Sequence, residues 1–375
     1  MPVLTGGAAD TGNPSEEEVR AARPGRRRRL VLTVVKPVTW VAAVAAAVTI
    51  IYLIPRTTGT TWDEIGRTLG KVSFTDVLVL TGMWALALFC YSFVLTGSLP
   101  GLRRRRAMTL NLTGSAVANV VPLGGAWGVG LNTLMLRRWG YAGKDIAGFL
   151  MISNVWNILA KLAVSAVVIG MLAVGGLPVP VSAHGARAVV ISAAVAVVLI
   201  IVMLASQRAS RLAGRVADTV LRPLLRLAHI HRVTHLSAQL PAVRRVMVEV
   251  VRARWPLMSV GMVLYLSLQA TLLWVCLEMV GNEFTFAAVL TAFAVDRLLT
   301  AVPLTPGGSG VVEAGTAAAL VALGGAPASV AAAVLLYRAF TFLAEIPVGG
   351  VWALTWFAVQ RRLRTAATVP LGGVG

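Results

Sequence analysis

Charge is scarce in this chain, and acid scarcer still. Only 13% of the 375 residues are charged, with 15 Asp and Glu against 34 Lys and Arg. A soluble domain carries about a quarter charged residues, so a surface turned wholly to water is excluded. The two cysteines, Cys90 and Cys276, both lie inside apolar runs, which excludes a disulfide framework and a cysteine-built zinc site. Three of the four histidines, His229, His231 and His235, lie together in a basic stretch. His231 and His235 have helical i, i+4 spacing, but no carboxylate follows in motif order and no cysteine is near, so they read as a solvated face. No glycine loop carries the lysine and hydroxyl of a nucleotide-binding site, and no aspartate-rich motif of a lipid-carrier transferase is present. Asp63-Glu64 reads as a solvated loop. No metal and no cofactor is expected.

What the chain has instead is hydrophobic length. Hydrophobic residues make up 57% of it. Apolar runs near twenty residues recur, each long enough to cross a hydrocarbon layer of roughly 30 Å as a helix. A closed barrel would alternate apolar and polar residues, and segments 43–54 and 188–205 do not alternate. The net charge of +19 is concentrated at the ends of these runs. That distribution belongs to topology determinants rather than to a nucleic-acid surface, for which no recognition module is present.

The basic clusters set the threading. A basic cytoplasmic tail fills 1–29, the first anchor spans about 37–54, and the second span covers 77–99. Arg103–Arg106 then precede an apolar stretch, 107–136, that ends at Arg137, Arg138 and Lys144. With both clusters cytoplasmic, this stretch enters and leaves by one face, breaking at Pro122, Gly124 and Gly125. A span over 146–174 exits and 188–205 returns. Residues 207–256 form a cytoplasmic insert in which Arg208, Arg211, Arg215, Arg222 and Arg226 recur at helical spacing, as on an amphipathic helix lying on an anionic leaflet. A span at 257–280 follows, then a second broken stretch, 286–323, interrupted at Pro303, Pro306, Gly307 and Gly308. The last span is 330–359. This threading puts 27 of the 34 Lys and Arg inside, so both termini are expected in the cytoplasm. Eight full spans are the competing count, and would put one of the clusters 103–106 or 137–138 outside.

The two broken stretches resemble each other. Val121-Pro122-Leu123 matches Val302-Pro303-Leu304, and an offset of 184 lays Gly140 on Gly324, Asn154 on Arg338 and Lys161 on Glu345. The expected architecture is an all-α polytopic membrane protein built as an inverted repeat of two halves. Each half is span, span, broken re-entrant hairpin, span, which makes about six full spans and two hairpins. The segments are the tail 1–29, a first repeat over 30–187, the opening span of the second at 188–206, the insert 207–256, the remainder at 257–362 and a tail at 363–375.

Charged residues at membrane depth are costly and are functional candidates by default. Here they are Lys161, Asp296, Arg297, Glu313, Arg338 and Glu345. One reading is mutual neutralisation that pins helices together. The other sets Arg297 and Arg338 on a lipid phosphate, whose oxygens match the guanidinium fork. Arg338 and Glu345 are seven apart and share a helical face. Glu313 follows the second break, where it can cap amides or pair with an arginine. Gly124, Gly125, Gly307 and Gly308 can turn the chain, allow close packing or cradle a phosphate.

Pro306-Gly307-Gly308-Ser309-Gly310-Val311-Val312-Glu313, followed by Tyr337-Arg338, resembles the signature of the membrane domain of bacterial lysylphosphatidylglycerol synthases and of the flippase-like proteins that share it. The resemblance covers about 30–362. It implies translocation of an anionic phospholipid or isoprenoid-linked lipid across a bacterial cytoplasmic membrane. The chain ends about ten residues after its last basic cluster, so no soluble aminoacyl-transferase domain is expected. A membrane-embedded transferase and a scaffold for partner proteins are the alternatives.

Overall fold

The computed structural model describes residues 60–120, 124–174, 236–301 and 310–367, with a few single positions between them. The tail 1–29, the spans at 37–54 and 188–205, the three histidines, most of the basic insert and the end of the C-terminal tail lie outside the described residues. So do the tips of both breaks, with Pro122, Gly307 and Gly308.

Among the described residues there are helices and no strands. In chain order they are α1 (Trp62–Leu69), α2 (Phe74–Ser98), α3 (Arg104–Val120), α4 (Gly124–Arg138), α5 (Gly143–Val174), α6 (Leu236–Met279), α7 (Phe286–Ala301), α8 (Val311–Ala322), α9 (Pro327–Arg338), a π-helical turn (Ala339–Leu343) and α10 (Glu345–Ala367). Among the described residues, four units are long and apolar enough to cross a membrane: α2, α5, α6 and the continuous unit from α9 through α10. Their large apolar side chains are widely exposed, among them Leu78, Phe89, Val167, Val260, Val263 and Leu354. Lipid is the solvent that suits such a surface. The chain is an all-α polytopic membrane protein.

Local signals start the helices where they start. Thr61 and Glu64 form a capping box on α1, and Ser73 and Asp76 form one on α2. Pro327 occupies the first turn of α9, where its missing amide costs nothing. The turns that feed α5 and α9 contain Gly140 and Gly324, at φ +86° and +97°, a region that residues with a side chain rarely adopt. These two glycines lie at the offset of 184 found in the sequence.

Both broken stretches fold as antiparallel helix pairs. In the first, Thr113 Oγ1 meets Met135 Sδ at 3.6 Å. Gly128 sits so close to α3 that a Cβ there would lie 2.8 Å from the Gly114 carbonyl oxygen, and one on Gly124 would collide with the Ala118 carbonyl. Packing is thus what Gly124 and Gly128 do; Gly125 has open space around it. In the second pair, α7 and α8, a Cβ on Gly315 would collide with Leu299, and Thr316 Oγ1 lies 3.5 Å from Asp296 Oδ1. The first pair brings its two basic ends together, with the Arg106 guanidinium 5.1 Å from the Trp139 ring centre. Single cysteines introduced as Arg104→Cys and Arg138→Cys are therefore expected to behave alike toward an impermeant thiol reagent in intact cells. Labelling of only one would mean that the stretch crosses the bilayer.

The long helices pack in a matched set. α2 and α6 run antiparallel along most of their length. Gly97 lies against Met258, Tyr91 stacks on Tyr265 at 4.9 Å, and Gly261 lies against Phe93. α10 packs on α3 and α5 packs on α7. One contact in each interface falls at a nearly constant offset in sequence: Ser165 Oγ donates to the Ala294 carbonyl at 3.0 Å, and Gly349, 184 residues after Ser165, abuts the carbonyl of Leu112, 182 residues before Ala294. Helix α6 starts at Leu236 and continues unbroken through position 256, where the insert was expected to end. Val243, Met247 and Val250 are buried in a cluster with Ile152 of α5, and that contact carries the helix onward.

Candidate functional site

Polar side chains meet in the middle of the bundle, around the second broken pair. Asp296 and Arg297 come from the last turns of α7, Glu313 from the first turn of α8 and Arg338 from the end of α9; all four are buried. Arg297 uses four of its five N–H donors. Its Nε and Nη2 both donate to Asp296 Oδ2, its Nη1 donates to Gln269 Oε1 at 2.7 Å, and its Nη2 also reaches the Tyr337 hydroxyl at 3.1 Å. The Phe293 ring lies beside it, 4.7 Å from centroid to guanidinium carbon. Arg338 Nε donates to Glu313 Oε1 at 2.7 Å, with the Phe342 ring 5.0 Å away. The second oxygen of Glu313 accepts the Gly310 amide at 2.5 Å. Glu313 thus caps the start of α8 and pairs with an arginine at once.

Two ion pairs are formed among the described residues, and they use four of the six candidate charges. Lys161 and Glu345, the two aligned by the offset of 184, are not paired with each other. Lys161, half-buried on α5, lies within electrostatic reach of Asp296, Arg297 and Arg338. Glu345 is buried at the start of α10 and accepts from Asn119 Nδ2 of the first hairpin at 3.4 Å.

Arg338 and Glu345 do not serve one face, although a regular helix would place them so. The π-helical turn lies between them, with the Ala344 amide bonded to the Ala339 carbonyl at 2.7 Å. Pro347 just beyond has no amide to give to Leu343, and such a gap loosens the ladder. As a result Arg338 turns to the second hairpin and Glu345 to the first. One helix thereby links the buried polar groups of both halves. Single π turns inside α-helices occur often at functional sites.

Sequence reasoning missed Gln269 and Asn119, uncharged partners of these charges, and named Tyr337 only as part of a motif. It also missed a cavity of about 260 Å³ in the first half, walled by α2, α3, α4 and α5 and lined by Asn111, Asn132 and Asn157. The available signal was a polar amide inside an apolar run, which is the same signal that exposed the charges.

Chemically, the cluster holds two buried guanidinium groups, each bound to a carboxylate, and the guanidinium fork is a shape that also matches phosphate oxygens. The family profile described as the lysylphosphatidylglycerol synthase TM region matches residues 40–349. No curated protein matches the chain.

Proposed function

As the chain belongs to the lysylphosphatidylglycerol synthase TM region family, we propose that it translocates an anionic lipid or lipid-linked intermediate between the leaflets of a bacterial cytoplasmic membrane. The supporting observation is the pair of buried arginines at the second hairpin, each held by a carboxylate and an aromatic ring. In this reading a lipid phosphate displaces Glu313 from Arg338. Glu313 keeps its bond to the Gly310 amide throughout. The acyl chains remain in the bilayer while the head group moves through the polar centre.

The matched helix contacts support an inverted repeat, because antiparallel partners that exchange roles require a two-fold axis across the helices. The charge distribution supports cytoplasmic termini. Arg103–Arg106, Arg137, Arg138, Lys144 and Arg254 gather at one end of the bundle, and among the described residues the other end carries only Arg67 and Lys71 as basic groups, beside Asp63, Glu64, Asp76 and Glu283. The protein acts in this reading as a transporter and not as a transferase. Its driving force is a lipid gradient or an ion gradient.

The test is leaflet exchange of labelled phospholipids and isoprenoid-linked lipids in liposomes containing the purified chain. Arg338→Ala is expected to slow exchange by about tenfold or more, the worth of a charge-assisted hydrogen bond. Lys71→Ala, at an exposed turn, is expected to leave the rate unchanged. Absence of exchange for every anionic lipid, under pH gradients of either sign, would overturn the proposal.

A further inference from the structure

Apart from Glu278, exposed at the end of α6, the apolar stretches of the chain carry six charged side chains, and their signs cancel: Lys161, Arg297 and Arg338 against Asp296, Glu313 and Glu345. Two pairs are closed by direct contact, Arg297 with Asp296 and Arg338 with Glu313. Lys161 and Glu345 make no ion pair among the described residues. Lys161 lies within reach of the second hairpin, whereas Glu345, 8% exposed, is turned to the first. The set is neutral as a whole but not group by group.

The three carboxylates differ in what their partners allow. Asp296 accepts two bonds from Arg297, and Glu313 accepts from Arg338 and from the Gly310 amide. A proton on either would leave a buried guanidinium without its counter-charge. Glu345 has only neutral partners. Asn119 Nδ2 donates to it at 3.4 Å and also to the Phe342 carbonyl at 3.3 Å, and the Ser115 hydroxyl bonds the carboxylate. A hydroxyl donates or accepts as required, so Ser115 can give a bond to ionised Glu345 and take one from the protonated acid, while the Asn119 amide serves both forms. Neither form leaves a buried group unsatisfied. The titratable groups within electrostatic reach of Glu345 are Arg338 of α9, Tyr91 of α2 and Tyr265 of α6; α3 presents only Ser115 and Asn119 to it.

A lipid phosphodiester brings one more negative charge into this neutral set. Uncompensated charge is costly away from water, and Glu345 is the one carboxylate of the six groups that takes up a proton without stranding an arginine. We infer that Glu345 is a proton-binding site coupled to the anionic lipid. One proton binds the carboxylate from water as one phosphate charge enters, Glu345 releases it to water on the far side as the lipid leaves, and the two cross without net charge. The inference rests on the translocation reading and adds its driving ion, the proton.

The experiment follows labelled phosphatidylglycerol in liposomes containing the full chain, with the membrane potential clamped by potassium and valinomycin. A pH gradient of about one unit should accumulate the label about tenfold in the leaflet facing the alkaline side, the ratio set by one proton per lipid. A potassium-driven potential at equal pH should accumulate none. Glu345→Gln holds the neutral form, and the exchange it retains should leave the two leaflets equal under the same pH gradient. Binding gives a second measurement that needs neither exchange nor a variant. Short-chain phosphatidylglycerol added to the chain in weakly buffered nanodiscs of choline lipid should draw about one proton per lipid bound, read by a pH-sensitive dye. Glu345→Gln should draw none. Lipid bound without proton uptake by the unaltered chain, or exchange that ignores the pH gradient, would overturn the proposal, and so would a Glu345→Gln variant that keeps either response. Proton uptake on binding without any exchange would sink the translocation reading alone, so the two fail separately.

Discussion

Arg297→Ala is expected to destabilise the folded protein by about 3–5 kcal/mol, the cost of leaving one member of a buried ion pair without its partner. Asp296 is 1% exposed, and Arg297 supplies both donors bound to its Oδ2. The same change removes the partners of Gln269 and Tyr337, two further buried polar groups. Unfolding of the detergent-solubilised protein, followed by heat or denaturant, measures the loss. The double variant Asp296→Leu with Arg297→Met should recover most of it, because a buried pair replaced by apolar residues of similar volume is often neutral. Leaflet exchange in the double variant then separates two roles. Recovered stability with exchange still absent assigns Arg297 to the lipid path; recovery of both makes the pair a structural clamp. An unchanged stability of Arg297→Ala alone would contradict the burial of the pair.

The architecture was legible in the sequence wherever hydrophobic length and basic ends spoke together. The spans expected at 77–99 and 146–174 correspond closely to α2 and α5, and both broken stretches fold as helix pairs. These features follow from local composition. Partner choice does not. Asp296 and Arg297 are adjacent, and adjacent residues do not face one another along a helix, yet their side chains bond directly. The expectation that Arg338 and Glu345 share a face assumed an unbroken α-helical ladder, and the π turn removed that condition. The amide cavity was hidden for a different reason. Asn111 and Asn132 lie on different arms of the first hairpin and Asn157 on α5, so only folding brings them to one wall. A charge in an apolar run announces itself, whereas a neutral amide is cheap enough to pass as packing.

Gly349 and Gly350 are adjacent in one helix, and substitutions at them are expected to have opposite signs. Glycine inside a helix costs roughly 1 kcal/mol against alanine, so Gly350→Ala, with no atom within 4 Å of the new Cβ, should be neutral or stabilising. Gly349→Ala should instead destabilise by about 1–3 kcal/mol, the usual cost of overpacking. Its Cβ would collide with the Leu112 carbonyl oxygen and lie 2.7 Å from the Ala116 methyl. Neither can move aside without shifting α3, because one is backbone and the other sits on it. Gly349→Leu should cost more, and its effect should reach beyond stability. The same crossing of α3 and α10 holds Trp352 Nε1 on Thr109 at 3.0 Å and Glu345 on Asn119. Pushing the helices apart would therefore withdraw Glu345 from the first hairpin while leaving the Arg338–Glu313 pair in place. Paired alanine scans of unfolding at positions 349 and 350 check the stability claim. If both glycines tolerate alanine equally, α3 and α10 do not meet at Gly349, and the correspondence with the Ser165–Ala294 contact, on which the inverted repeat rests, fails with it.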